Sequence, residues 1–352
     1  MTIRHFDSPL GFVRALMLGS ALLTLSSVQA VASNTGTAEL RRQTQDGGDR
    51  FERSQSPHWP ISPATSEQAF ESGELRILSE RYAGRGVTGA RKLEIELPES
   101  GKRVEAKWKP MPRRLDAINN SPRRELAAYQ IQKLFLDAEN YVVPTSSVRC
   151  IRAEEFIDSK RHRSPTLPDT NCELGVLSLW LEQVTLPDPL FDKARFARDP
   201  VYARHLADFN LATYLMKHKD GRRGNFLVST NDLDRRVFAI DNGVAFSGIW
   251  FNWFVPNWKK IRVPALRKSS VDRLRHLTHE KLEALGVVVQ LEWQVQGGVR
   301  VVEPTQNLDP DDGVRSEGQI IQLGLEEDEI ENLWERIEHL IEDVDDGEIT
   351  TF

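Results

Sequence analysis

The stretch KHKDGRRGNFLVS, residues 217–229, decides how this chain is read. Asp220 follows His218 by two positions and precedes Asn225 by five, after which an apolar, strand-forming run begins. Two readings compete. One is a charged surface turn; the other is a loop that sets a carboxylate beside a reacting hydroxyl and an amide oxygen beside a metal. The spacing H-x-D-x4-N alone settles neither, because these residue types are common in turns.

The flanking sequence sharpens the second reading. RRVFAID, residues 235–241, is an apolar strand ending on Asp241, and Asn242-Gly243 then reverse the chain. A carboxylate at such a reversal is open to a metal and a phosphate; the competing reading is an Asp-Asn-Gly hairpin turn. Upstream, Gly84, Gly86 and Gly89 form a G-x-G-x-x-G, small enough for backbone to approach phosphates. A hairpin, not a helix, is expected after it, so a dinucleotide fingerprint is the wrong context.

Between these motifs lie alternating runs at 91–97 (RKLEIEL) and 102–108 (KRVEAKW), joined by Pro98-Glu99-Ser100-Gly101 and predicting a hairpin. Lys107 and Lys109 share one face, opposite Val104, Ala106 and Trp108. Ser121-Pro122 opens a helix with Leu126, Tyr129, Ile131 and Leu134 on its apolar face, and places Glu125 in the first turn. A lysine that grips phosphates needs such an acid to hold it. Strands are also expected at 175–184 and 235–241, and helices at 205–217, over 271–286 with Gly286 as its stop, and along Ile330 to Ile341.

This order of motifs is similar to an atypical protein-kinase fold. AKWKPMP and RRELAAYQIQKLF resemble the lysine strand and glutamate helix of the secretory-pathway kinases related to Golgi casein kinase and four-jointed. FAIDNGVAF resembles the metal-aspartate segment of that family and of phosphatidylinositol 4-kinases, with HipA-like kinases as further relatives in pattern. The resemblance covers roughly residues 80–290. It selects Lys109 over Lys107 as the nucleotide-binding lysine and implies Glu125 and Asp241 as metal-holding residues. The protein-kinase loop spacing adds Asp220 as the catalytic aspartate that accepts or orients the acceptor hydroxyl. It also adds Asn225, which agrees better with protein and phosphoinositide kinases than with the Golgi enzymes, as a metal-holding amide. In the same frame LWLEQV, residues 179–184, is a connector whose backbone at Glu182 to Val184 would face adenine. The pattern also departs from that family: Gly221-Arg222 follow Asp220 where Arg-His is common, and His218 precedes it as in ordinary protein kinases.

The rest of the chain bounds these expectations. It has 352 residues and a net charge of −6, with scattered aromatics, which argues against a nucleic-acid partner. Arg4 and Arg14, an apolar run from Ala15 to Leu25, and small residues up to Ala32 predict a signal peptide over residues 1–32 and an exported, periplasmic or secreted product. No later run is long enough to cross a membrane. Residues 33–68 read as a flexible polar linker and 69–350 as the folded domain, with an N-lobe over about 69–180 and a C-lobe over about 185–350. Cys150 and Cys172, the only two cysteines, suit a disulfide in an oxidising compartment.

The combined expectation is an α+β, bilobal kinase-like fold that uses ATP with Mg2+ or Mn2+ and a hydroxyl-bearing acceptor, a protein rather than a lipid or sugar. Alternatives are a nucleotide-binding pseudokinase, an AMP transferase, and a lipid or sugar kinase on the same fold. Arg222 and Arg223 are read as solvated loop arginines or as contacts to an anion. The tryptophans of 248–258 are read as core packing, or as an acceptor platform.

Overall fold

The alternation in RKLEIEL and KRVEAKWKP builds the first sheet. Leu93, Ile95 and Leu97 point to one face, as do Val104, Ala106 and Trp108, and all six are buried. A computed structural model describes residues 56–84, 89–158, 165–187, 189–247, 258–295 and 297–352. Strands β1 (Arg76–Tyr82), β2 (Arg91–Leu97), β3 (Lys102–Pro110), β4 (Ser146–Arg152) and β5 (Cys172–Leu179) form an antiparallel sheet in the order β1-β2-β3-β5-β4.

Both expected reversals are present. Gly101 (φ +64) turns the chain between β2 and β3, its N–H donating to Leu97 O at 2.8 Å. Gly84 (φ +146) and Gly89 (φ +73) flank the β1–β2 hairpin, closed by Ala83 N–H to Ala90 O at 3.0 Å. Gly86 lies in 85–88, outside the described residues. A strand follows the glycine motif, which agrees with a hairpin loop and not with a dinucleotide fingerprint. Cys150 and Cys172 join β4 to β5, with Cα atoms 5.5 Å apart.

Helix α1 (Pro63–Glu71) is capped by Ser62 Oγ, which accepts from Thr65 N–H at 3.1 Å. It docks on helix α2 (Pro122–Gln132) through Glu67, whose carboxylate takes Lys133 Nζ at 2.6 and 2.8 Å. Part of the stretch expected to be linker therefore belongs to the fold: Trp59 is 2% exposed and Ile61 fully buried. Two large apolar groups at 59 and 61 outweigh the polar composition around them. Helix α2 is buried along its whole length, so its polar side chains need partners. Gln132 supplies one set, accepting from Val142 and Val143 N–H at 2.8 and 2.9 Å and donating to Val143 O at 2.9 Å.

Beyond β5, strand β6 (Val184–Thr185) joins β7 (Phe226–Ser229) and β8 (Val237–Ala239) in an antiparallel sheet beside helices α3 (Lys193–Arg198) and α4 (Pro200–Leu215). Asp199 caps α4, accepting from Val201 and Tyr202 N–H at 3.1 and 3.0 Å. Strand β9 (Ala265–Leu266) pairs in parallel with β14 (Thr350–Thr351). The helix expected over 271–286 is instead two, α5 (Lys268–Arg275) and α6 (His279–Glu283), because Thr278 takes an extended backbone (φ −106, ψ 153) and starts a new helix.

A further antiparallel sheet, β10 (Val289–Trp293), β11 (Val299–Val302), β12 (Val314–Glu317) and β13 (Ile320–Leu323), precedes helix α7 (Glu327–Asp345). Helix α7 buries Ile330, Leu333, Ile337 and Leu340 and turns its carboxylate-rich face outward. Antiparallel sheets and seven α-helices among the described residues make the fold α+β. No helix among them is long and apolar enough to cross a membrane.

Candidate functional site

Strand β3 delivers Lys109 to a buried position, 4% exposed, beside α2. Its Nζ lies 2.7 Å from Asp241 Oδ1 and 3.6 Å from Glu125 Oε2. Lys107, two residues back on the same face, reaches Asp241 Oδ1 at 3.8 Å. Both lysines thus converge on Asp241, and Lys109 alone also meets Glu125 in these ion pairs. Burial works against the charge on Lys109, but Glu125 and Asp241 outweigh it and hold the ammonium above its ordinary range. For Asp241 burial pushes upward, and Lys107, Lys109 and Arg222 together hold the carboxyl well below the usual carboxylate range.

Asp241 follows β8 in a left-handed conformation (φ +65), uncommon for a residue with a Cβ. Asn242 and Gly243 then bring the turn against the start of α2. A Cβ on Gly243 would stand 3.3 Å from Ser121 N and 3.4 Å from Lys109 Nζ, so the glycine permits the close approach. The Asp-Asn-Gly segment serves as the contact between this turn and α2, not as a β-hairpin turn.

Residues 217–225 leave α4 through Lys217 (φ +50) and His218, whose N–H donates to Thr213 O at 2.9 Å. Asp220 Oδ2 accepts from Asn225 Nδ2 at 2.8 Å, and the same amide reaches Asp220 O at 3.0 Å. Arg222 Nε stands 3.3 Å from Asp220 Oδ2 and 3.3 Å from Asn225 Oδ1, so this arginine is paired inside the loop. Ile240 N–H donates to Asn225 O at 2.9 Å, extending the β7–β8 pairing. That register puts Asn225 and Asp241 at the same end of the strand pair.

His218 is fully buried, its ring centroid 5.2 Å from that of Phe226. Burial pushes its imidazole down to about 4, although Asp220 and Asp241 pull the other way. Lys219 is also low, at about 8, from burial and from the cations Lys217, Lys259 and Arg124 around it.

Buried polar atoms without a hydrogen-bond partner concentrate here. Ser121 Oγ, Glu125 Oε2, both ring nitrogens of His218 and both amide atoms of Asn242 account for six of eleven among the described residues. Buried polar groups in folded proteins are nearly always hydrogen-bonded, to protein or to ordered water, so these side chains leave bonding capacity open at the site. Among the described residues no group of three or more His, Cys, Asp or Glu is clustered as a metal centre. The expected donors are mixed: carboxylate oxygens of Asp241 and Glu125, implied by the resemblance, and the amide oxygen of Asn225, from the loop spacing. Such hard oxygens are the donors that Mg2+ or Mn2+ take, and here Glu125 Oε2 is ion-paired with Lys109 Nζ at 3.6 Å but accepts no hydrogen bond.

The connector carries an unforeseen partner. Glu182 N–H donates to His58 O at 3.0 Å, and His58 Nδ1 lies 3.0 Å from Glu182 O. Gln183 O accepts from Thr230 N–H at 2.8 Å, and Val184 pairs with Ser229. The peptide groups of Glu182 and Val184, expected to face adenine, are engaged within the fold. A histidine in a polar stretch gave no signal of this role. Trp258 is 6% exposed and packs on Phe209 at 5.6 Å between ring centroids, which agrees with core packing. The aromatic residues at 250, 251, 253 and 254 lie outside the described residues.

Neither a protein-family model nor a curated protein matches this chain.

Proposed function

We propose that the protein is an ATP-dependent phosphotransferase with a bilobal kinase-like fold, acting on a hydroxyl acceptor, in the first place a protein. The observation that carries the reading is one ion cluster, Lys109 with Glu125 and Asp241, assembled from β3, α2 and the end of β8 beside the bonded pair Asp220–Asn225. Residues far apart in sequence meet in the order and identity that phosphoryl transfer requires.

Lys109 binds the phosphates of the nucleotide, and Glu125 fixes its ammonium. Asp220 receives the acceptor's hydroxyl proton as the new oxygen–phosphorus bond forms and the bond to the leaving diphosphate breaks. Asn225, donating to Asp220 Oδ2, orients that carboxylate. Asp241, Asn225 and Glu125 are the residues that would hold Mg2+ or Mn2+, which supplies neutralisation of charge on the transferred group. His218, neutral through burial, fills the base of the loop without adding positive charge. Glycines 84, 86 and 89 cover the phosphates, and the signal-like start directs the chain to export.

The test is incubation of purified protein with γ-labelled or α-labelled ATP, Mg2+ or Mn2+, and protein, lipid and sugar acceptors. Transfer of the γ-label to protein supports the reading. Transfer of the α-label identifies an AMP transferase, and binding without transfer identifies a pseudokinase; either outcome overturns it.

A further inference from the structure

We propose that Arg123 and Arg124, held by carboxylates at the start of α7, set the position of Glu125 against Lys109, so that the first turn of α7 is a positioning element of the site. Only the kinetic consequence rests on the phosphotransfer reading. Arg123, Arg124 and Glu125 are consecutive in the first turn of α2.

Arg123 is 2% exposed, and its guanidinium is spent on three acids. Nε donates to Asp116 Oδ2 at 2.9 Å, Nη2 to Glu326 Oε1 at 2.6 Å, and Nη1 to Glu329 Oε2 and to Gly324 O at 3.2 Å. Arg124 Nε donates to the other oxygen of Glu329 at 2.9 Å. Glu326 and Glu329 also form the capping box of α7, with Glu326 N–H donating to Glu329 Oε2 at 3.1 Å. The carboxylates that begin α7 therefore also hold the beginning of α2.

Apart from Asp116, the start of α2 lacks the usual side-chain hold at its N-cap. Ser121 occupies the N-cap position of α2 yet makes no side-chain cap bond, and its Oγ is a buried orphan. Gly313 keeps the passage open, since a Cβ there would lie 2.4 Å from Arg123 Cζ. On its other side the same turn meets the site, through Glu125 to Lys109 at 3.6 Å and through Ser121 N to Gly243. Arg124 further contributes to the positive field around Lys219. A forked guanidinium fixes direction as well as distance, which a lysine does not.

The test compares full-length wild type with Glu329→Gln and Arg123→Lys. Hydrogen exchange is read at the amides of residues 123–126, together with the rate at which acetic anhydride acylates Lys109, and kcat and KM for ATP. Both variants are expected to speed exchange in that turn and acylation of Lys109 by about tenfold or more, while exchange at 333–341 stays within about threefold. The kcat is expected to fall about tenfold with KM for ATP within about threefold of wild type. Folded variants with wild-type exchange and acylation would reduce the network to a stabiliser and overturn the proposal. If Glu329→Gln does not fold, the milder Glu326→Gln, at the rim of the network, decides by the same readouts. A wild type without transfer activity sinks the phosphotransfer reading and leaves exchange and acylation to decide the clamp.

Discussion

Lys109 Nζ and Asp241 Oδ1 meet at 2.7 Å across 132 positions of sequence. The pair is asymmetric: the Lys109 side chain is 5% exposed and that of Asp241 35%. Removing Lys109 strands Glu125, itself 6% exposed, beside a second carboxylate. Lys109→Ala is therefore expected to cost about 3 kcal/mol, the range for a buried pair that loses one partner. Asp241→Asn leaves Lys109 with Glu125 and is expected to cost about 1 kcal/mol, since solvent screens the open side. Urea denaturation of both variants measures the difference; equal costs would contradict this asymmetry.

Acid should destabilise the fold through its buried histidines, starting below about pH 6.5. His218 and His205 are each held down to about 4 by burial, against an ordinary value of 6.5. The unfolded chain then binds more protons than the folded one between these values. Stability is fully present above about pH 6.5 and falls as pH drops toward 4, by up to about 3 kcal/mol for a fully buried histidine. His218→Phe keeps the ring against Phe226 and loses no hydrogen bond. Its melting temperature is expected to fall less than that of wild type from pH 7 to pH 5. Parallel acid limbs would show that His218 does not titrate as placed.

Lys219 stands among Lys217, Lys259 and Arg124, with its amine lowered to about 8. At pH 8 about half of it is neutral, against about one part in three hundred for an ordinary lysine. Limited acylation at pH 8 followed by mass spectrometry should modify Lys219 at least about tenfold faster than exposed lysines such as Lys268. Equal labelling would contradict the cationic crowding.

Gly175 lies under the Trp108 indole, and an added Cβ would sit 2.4 Å from the ring. Trp108 is 1% exposed and cannot yield outward without opening the β3–β5 seam. Gly175→Ala is expected to cost about 2 kcal/mol by overpacking. A variant as stable as wild type in urea would mean that the indole has room to move.

Much of this was legible in sequence, for identifiable reasons. Period-two alternation located β2 at its observed limits and β3 to within two residues, because each strand has one buried face. The amphipathic α7 and the α4 segment were visible at helical period, and α2 was visible from Pro122 at its first turn, although Ser121 does not supply the expected side-chain cap. The meeting of Lys109, Glu125 and Asp241 was expected from motif order, which carries information that no single motif holds.

What stayed hidden was set by tertiary partners. His58 on Glu182 joins segments 124 positions apart, and Glu329 on Arg123 joins segments 206 apart, with no local pattern announcing either. The sheet β10–β13 went unread although Val289–Trp293 (VQLEW) alternates, since its neighbours are short and polar in part. Thr278 divides the expected helix in two through its extended backbone, with no side-chain cap bond that a sequence pattern could announce.

The central claim is that Lys109, Asp220 and Asp241 act together on one phosphoryl group, and label transfer tests it most directly. Wild type, Lys109→Ala, Asp220→Ala and Asp241→Ala, each first shown folded by circular dichroism, are incubated with γ-labelled ATP, Mn2+ and a protein acceptor. Transfer is predicted in wild type, with a loss of about 100-fold or more in every variant. Absence of transfer in wild type, or undiminished transfer by any one folded variant, would contradict the claim.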